Sequence, residues 1–277
     1  MKTLLQDWWH PLRLSPGFRS VSITALILFS GCALLHKRSP YLDPDRLMSV
    51  VKVAPSGEAP ILGTDFLTLK SESRTLEPIA AYIFRGLVLN EREPERIHSA
   101  QVTADFFPTL GVKPFLGRAL LPADNQPDSY PVVVISHTLW QRRFGADPSM
   151  IGRKITLDQA PCTIVGIMPP DFRFPKDCDA WTPLASDFHD VSLNIGGKRV
   201  GTEVQVLARL KTGVTLQQAQ SEMRLIASKL GGGQSENNTG RSLNLTALRE
   251  SPKQIDNVLE IKISRPAKLP AETGKEK

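Results

Sequence analysis

Polar and apolar residues alternate with a period of two over much of residues 47–248, and four stretches with helical spacing interrupt that rhythm. LDPDRLMSVVKV opens with a Pro-containing turn at Asp43 to Asp45 and runs into a β-branched strand over Met48 to Val53. In GTDFLTLKSESRTLEPIAAY, residues Phe66, Leu69 and Leu76 recur at helical spacing behind a Thr64 or Asp65 cap, and Pro78 interrupts the pattern. An amphipathic helix with a break is expected there. RGLVLN and RIHSAQV predict two strands about the charged turn EREPE, and TADFFPTLG a short capped helix that Gly111 ends.

YPVVVIS, Tyr130 to Ser136, is a compact apolar run that predicts a buried strand. Ser136 can cap the helix that follows, on which Leu139, Trp140, Arg143 and Phe144 stand three to four residues apart before Gly145 stops it. KITLDQAPCTIVGIM alternates as a hairpin, with Ile155 and Leu157 expected opposite Ile164 and Ile167 across a turn near Asp158 to Pro161. TEVQVLARL predicts a strand. TLQQAQSEMRLIASKL predicts a helix whose Leu216, Ala219, Met223, Ile226 and Leu230 share one face, with Thr215 and Gln218 fitting a capping box. One more strand is expected at Leu243 to Leu248, so the folded body spans 43–248. Residues 249–277 read as a polar, Pro-containing tail, expected to be disordered.

SVSITALILFSGCALL, Ser20 to Leu35, departs from this pattern because it holds no charge. As a helix its residues span about 24 Å, short of the roughly 30 Å hydrocarbon core, so 20–35 is read as a membrane helix or a signal segment behind a cytoplasmic stretch, 1–19. Lys2, Arg13 and Arg19 precede it while Lys37 and Arg38 follow, which favours outward placement of the C-terminal part only slightly. Within it LFSGC resembles a lipobox, which makes lipidation at Cys32 the alternative mode of attachment.

With 41% hydrophobic and 22% charged residues, most of the chain should fold in water. The net charge of +6 does not point to nucleic acid, because Lys and Arg are scattered among acids and no zinc-finger spacing, RNP run or basic helix accompanies them.

Catalytic chemistry finds no foothold. GADPSMIGRK puts six residues between Gly145 and Gly152 and an Arg after the second, so it is not a phosphate-binding GxxxxGK[ST] loop, and the chain carries no ATPase of its own. None of the five His residues has metal-ligand spacing. Ser136 and His137 are sequence neighbours and make no triad, while Asp43 with Asp45 and Asp177 with Asp179 lie in polar turns that suit solvated carboxylates. No catalytic, cofactor-binding or metal-binding residue is therefore assigned. Arg142, Arg143, Arg153 and Lys154 could bind an anion if they converged, but two lie on a helix and two start a strand, so a helix-to-strand corner is the reading preferred. Cys162 and Cys178 admit either a disulfide or two half-buried thiols.

YPVVVISHTLWQRRFGADPSMIGRKITLDQAPCTIVGIMPPDFRFP resembles the MacB-like periplasmic core domain of the FtsX/MacB permease superfamily, in particular its acidobacterial-type duplicated orphan permeases. LRLSPGFRSVSITAL, YLDPDRLMSV, VTADFFPTLGVKPFLGRALLPAD and VLARLKTGVTLQQAQSEM agree in the family's order, so the likeness covers roughly residues 12 to 230. It implies an α+β fold of two mixed subdomains, one porter-like and one richer in β, with one N-terminal membrane segment in the bacterial inner membrane and the body in the periplasm. It further implies a noncatalytic role in export or mechanotransmission beside a cytoplasmic ABC ATPase and a permease chain, and admits a homodimer. The family's chains continue into an FtsX-like permease domain, whereas this sequence ends in the polar tail; a single-span subunit, a lipid-anchored binding module and a nonfunctional truncated permease are the alternatives.

Overall fold

A computed structural model describes residues 41–54, 57–126, 128–129, 131–184, 193–195, 198–230 and 242–248. The segments expected at 1–19 and 20–35, Cys32 and the tail 249–277 lie outside the described residues. Among the described residues no helix is long and apolar enough to cross a membrane.

In chain order the strands and helices are β1 (Leu47–Ala54), β2 (Gly57–Ala59), β3 (Ile61–Leu62), α1 (Gly63–Glu72), β4 (Leu76–Leu89), β5 (Glu95–Val102), α2 (Phe106–Leu110), β6 (Leu116–Gly117), β7 (Val132–Ile135) and α3 (His137–Phe144). There follow β8 (Lys154–Leu157), β9 (Ala160–Ile167), β10 (Ala180–Pro183), β11 (Leu193–Ile195), β12 (Lys198–Val200), β13 (Glu203–Leu210), α4 (Leu216–Lys229) and β14 (Ser242–Ala247). Strands β11 and β12 form a separate hairpin; the others belong to one mixed sheet ordered β14-β1-β13-β4-β5-β10-β7-β9-β6, with β2, β3 and β8 paired off this path.

One part of the sheet is built from two β-α-β units. β1-α1-β4 and β13-α4-β14 interleave as β14-β1-β13-β4, antiparallel throughout, the arrangement of a split βαβ fold. Period-two alternation sends Met48, Val50, Ile79, Ala81, Val206 and Ala208 to one face, where Phe66 and Leu69 of α1 and Met223 and Ile226 of α4 cover them. Leu47, Ala80, Tyr82 and Leu207 point to the opposite face, into an aromatic core with Phe106, Phe107, Phe174 and Trp181.

The other part is inserted between β4 and β13. β4 is long enough to serve both: Leu76 to Tyr82 pairs with β13, and Tyr82 to Leu89 pairs with β5 on its other edge. β5 pairs β10 in parallel, β10 pairs β7, β7 pairs β9 in parallel, β9 pairs β8, and β8 returns to β4 at Leu89↔Leu157. This closed circuit of six strands encloses Leu89, Ile97, Val133, Ile135, Ile155, Leu157, Ile164, Ile167 and Ala180, and Leu139, Trp140 and Met150 join the same core.

The structure corrects several expectations. Leu76 does not continue a helix: α1 ends at Glu72, its N-cap is Leu62 and not Thr64 or Asp65, and Leu76 opens β4 opposite Leu210. Cross-strand pairing with β13 overrides the helical spacing. In the β8–β9 hairpin, Ile155 faces Cys162 and Leu157 faces Ala160, because a two-residue turn at Asp158 and Gln159, both at positive φ, brings Ala160 and Pro161 into β9. Ile164 and Ile167 instead pair with Val133 and Ile135. Leu216 stands at the first turn of α4 and is 46% exposed, so it does not share the buried face of Ala219, Met223 and Ile226.

Candidate functional site

The corner at 135–155 is held by local bonds. Ser136 Oγ accepts from Leu139 N at 2.9 Å to cap α3, Gly145 in the left-handed region ends it, and Trp140 Nε1 donates to Asp147 O at 2.9 Å across the following turn. His137 opens α3 and packs edge-on against Trp140 and Phe115. Arg142 reaches Glu95 at 2.7 Å and Asp179 at 3.4 Å, while Arg143 lies 3.4 Å from the second Glu95 oxygen and donates to Glu93 O. Arg153 donates to Met150 Sδ, and Lys154 is exposed at the start of β8. Arg142 and Arg143 meet on Glu95, and Asp179 also faces Arg142, whereas Arg153 precedes β8 and Lys154 opens it.

The remaining sequence-level candidates also separate. Asp43 and Asp45 are exposed, with Asp43 paired to Arg46 at 3.4 Å; Asp177 is exposed, and Asp179 accepts from Ser136 Oγ as well as facing Arg142. Cys162 lies in the ring core and Cys178 in the aromatic core, both as free thiols. Burial pushes both thiols up, which favours the protonated form. Among the described residues no cluster of three His, Cys, Asp or Glu side chains could hold a metal ion.

A polar arrangement that ties three segments together lies at the end of the sheet where β1 begins. Arg46 donates from Nε and Nη2 to Leu210 O, at 2.8 and 2.6 Å, and from Nη1 to the Asp43 carboxylate. Arg209, only 6% exposed, sits across the ladder from Leu47 and donates to Thr109 O at 3.0 Å and Asp43 O at 3.3 Å. Its Nη2 has no hydrogen-bond partner among the described residues. Burial, and then the Arg46 charge, lower the pKa of this guanidinium, and Asp43 pulls the other way. The Thr109 carbonyl belongs to the last turn of α2, where a cation meets outward-pointing C=O groups favourably. Gly111 then turns the chain at φ 69°, and a Cβ there would lie 2.5 Å from Leu42 Cβ and 3.3 Å from Arg209 Nη2. The incoming segment 41–46 is thus packed on the end of α2.

β14 closes at the same end of the sheet, since Ala247 lies opposite Met48 near the start of β1. Neither arginine was singled out from the sequence. The available signal was parity: Arg209 follows Leu207 by two residues and so shares the phase of the aromatic-core face, where a charge is unusual.

The family model for the MacB-like periplasmic core domain matches residues 21–226. Among solved structures, the fold is similar to the periplasmic region of MacB from Actinobacillus actinomycetemcomitans, at TM-score 0.53 and 15% identity over 77% of this chain and 92% of that one. It is similar also to a domain of a putative permease protein from Porphyromonas gingivalis, at TM-score 0.55 and 16% identity over 75% of this chain and 92% of that one. The extracellular domain of the noncanonic ABC-type transporter YknZ from Gram-positive bacteria aligns at TM-score 0.51 and 12% identity, over 72% of this chain and 99% of that one. No curated protein sequence matches the chain.

Proposed function

The chain belongs to the family of MacB-like periplasmic core domains, and on that premise we propose that it is the noncatalytic extracytoplasmic part of an ABC-type permease assembly. It works in export or mechanotransmission beside a cytoplasmic ATPase and a permease chain, with the body on the outer face of the bacterial cytoplasmic membrane. The observation that carries this reading is the placement of the body's two ends. Residues 41–46 lead into β1, and the adjacent antiparallel strand β14 closes at Ala247, at the same end of the sheet. A body with neighbouring termini suits insertion beside a membrane, because both connections can run to the same surface. In this reading the two subdomains are the split βαβ part and the six-strand ring.

The test is gentle extraction of the native protein from membranes and mass spectrometry of what accompanies it. Co-purification of an ABC ATPase with a permease chain supports the reading; a folded, membrane-bound protein recovered alone counts against it. The intact mass of the same preparation decides the mode of attachment: a mature chain beginning at acylated Cys32 means a lipid anchor, and a retained Met1 means a membrane helix.

A further inference from the structure

Arg46 and Arg209 grip each other's segments. Arg46, on the incoming segment, donates twice to the backbone carbonyl of Leu210 on β13; Arg209, on β13, donates back to the carbonyl of Asp43 on the incoming segment. The Arg209 bond to Thr109 O adds a third backbone, the end of α2. From this clasp we propose that the two arginines form a latch that couples displacement of residues 41–46 to displacement of α2.

Three features make the arrangement a latch and not a passive filler. The three acceptors of the clasp are main-chain carbonyls on three different segments, so its integrity depends on the relative position of those backbones. Arg209 is buried, so movement of any one segment strips bonds from a cation that water cannot readily resolvate, which favours the segments moving together. Finally, α2 leads inward: Phe106 packs on Tyr82 of β4 with ring centroids 5.7 Å apart, and Phe107 on Trp181 of β10 at 5.9 Å. A shift of α2 therefore reaches two strands of the ring. The mechanical use of the latch rests on the reading that a membrane anchor precedes residue 41; the coupling itself does not.

The experiment is hydrogen–deuterium exchange by mass spectrometry on the full chain, comparing wild type with Arg46→Met, Arg209→Met and the double variant. Arg46 bonds to Leu210 and Asp43. The latch nevertheless requires that Arg46→Met speed exchange in peptides covering 106–113 by about tenfold, together with those covering 41–48. The double variant should add little to either single one, and peptides covering α3 should keep wild-type rates. If 106–113 stays at wild-type rates in Arg46→Met, or if α3 loosens in parallel, the latch is overturned. Should Arg209→Met fail to fold, Arg46→Met and the charge-retaining Arg46→Lys, which cannot reproduce the two-pronged bond, decide the matter. The exchange result is independent of co-purification, so loss of the transporter reading and loss of the latch are told apart.

Discussion

Leu89 of β4 lies opposite Leu157 of β8, and that pairing closes six strands into a ring. Bonds from Asn90 N to Thr156 O, from Asp158 N to Val88 O and from Val88 N to the Asp158 carboxylate support it on either side. Both leucines are buried in the ring core, at 0% and 3% exposure.

Leu157→Ala should therefore destabilise the protein by about 2–5 kcal/mol, the range for emptying a packed leucine site. Leu225→Ala, at a leucine 69% exposed on α4, should change stability by less than about 0.5 kcal/mol. Urea unfolding of both variants makes the comparison. Equal, small effects would mean that the ring is not closed around a packed interior.

Glu222 anchors α4 to the turn before β4. Its carboxylate accepts from Ser73 Oγ at 2.9 Å, Arg74 N at 2.8 Å, Thr75 N at 3.1 Å and the Thr75 hydroxyl. Burial works against the charged form, but the bonds from Thr75, Arg74 and Ser73 outweigh it and hold the carboxyl below its usual range. The folded pKa is depressed, so the stability Glu222 contributes is fully present above the unfolded value of about 4.3 and is lost as pH falls through the folded value. Glu222→Gln should cost about 1 kcal/mol at neutral pH, discounted for partial exposure, and flatten the acid limb of the stability profile. Thermal melts between neutral and acidic pH test this; an unchanged acid limb would remove Glu222 from that role.

Elements whose signals are local were legible in the sequence, and elements fixed by distant partners were not. The capping box of Thr215 and Gln218 and the Ser136 cap appear as expected because each depends on residues three apart. β10 has no comparable signature: its four residues within DAWTPL, Ala180 to Pro183, include a proline, and it becomes a strand only by filling the space between β5 and β7. Arg209 was obscured for the same reason, since its carbonyl partners lie 100 and 166 residues away. The resemblance to MacB-like periplasmic core domains, carried by the corner at 135–155 and the blocks around it, agrees with the family match over 21–226.

The sequence left the state of the two body cysteines open, and the structure places them in separate cores as free thiols. With burial holding both protonated, neither should react with iodoacetamide in the folded protein at mildly alkaline pH, and both should react once it is unfolded. Mass spectrometry after alkylation reads the outcome. A Cys162–Cys178 crosslinked peptide from native protein would contradict this arrangement.

Arg142 and Arg143 share Glu95, so the corner should not hold a phosphate. Adding inorganic phosphate should leave the melting temperature no higher than an equal ionic strength of chloride does. Arg142→Ala should alter stability by no more than about 1 kcal/mol, as expected for an exposed pair. A phosphate-specific rise that Arg142→Ala abolishes would restore the anion-site reading.

Gly111 and Gly145 both end helices in the left-handed region, at φ 69° and 60°, but their surroundings differ. A Cβ at Gly145 meets nothing within 4 Å, so Gly145→Ala carries only the backbone penalty, about 1 kcal/mol. At Gly111 the added methyl would collide with Leu42 Cβ at 2.5 Å and crowd Arg209 Nη2 at 3.3 Å. Relief there requires the incoming segment to move away from α2, and movement of that segment strains the Arg209 bond to Asp43 O. Gly111→Ala should therefore destabilise clearly more than Gly145→Ala and speed exchange at 41–48, which the Gly145 substitution should leave alone. Equal losses in the two variants, with 41–48 undisturbed, would show that the incoming segment is not seated on the end of α2.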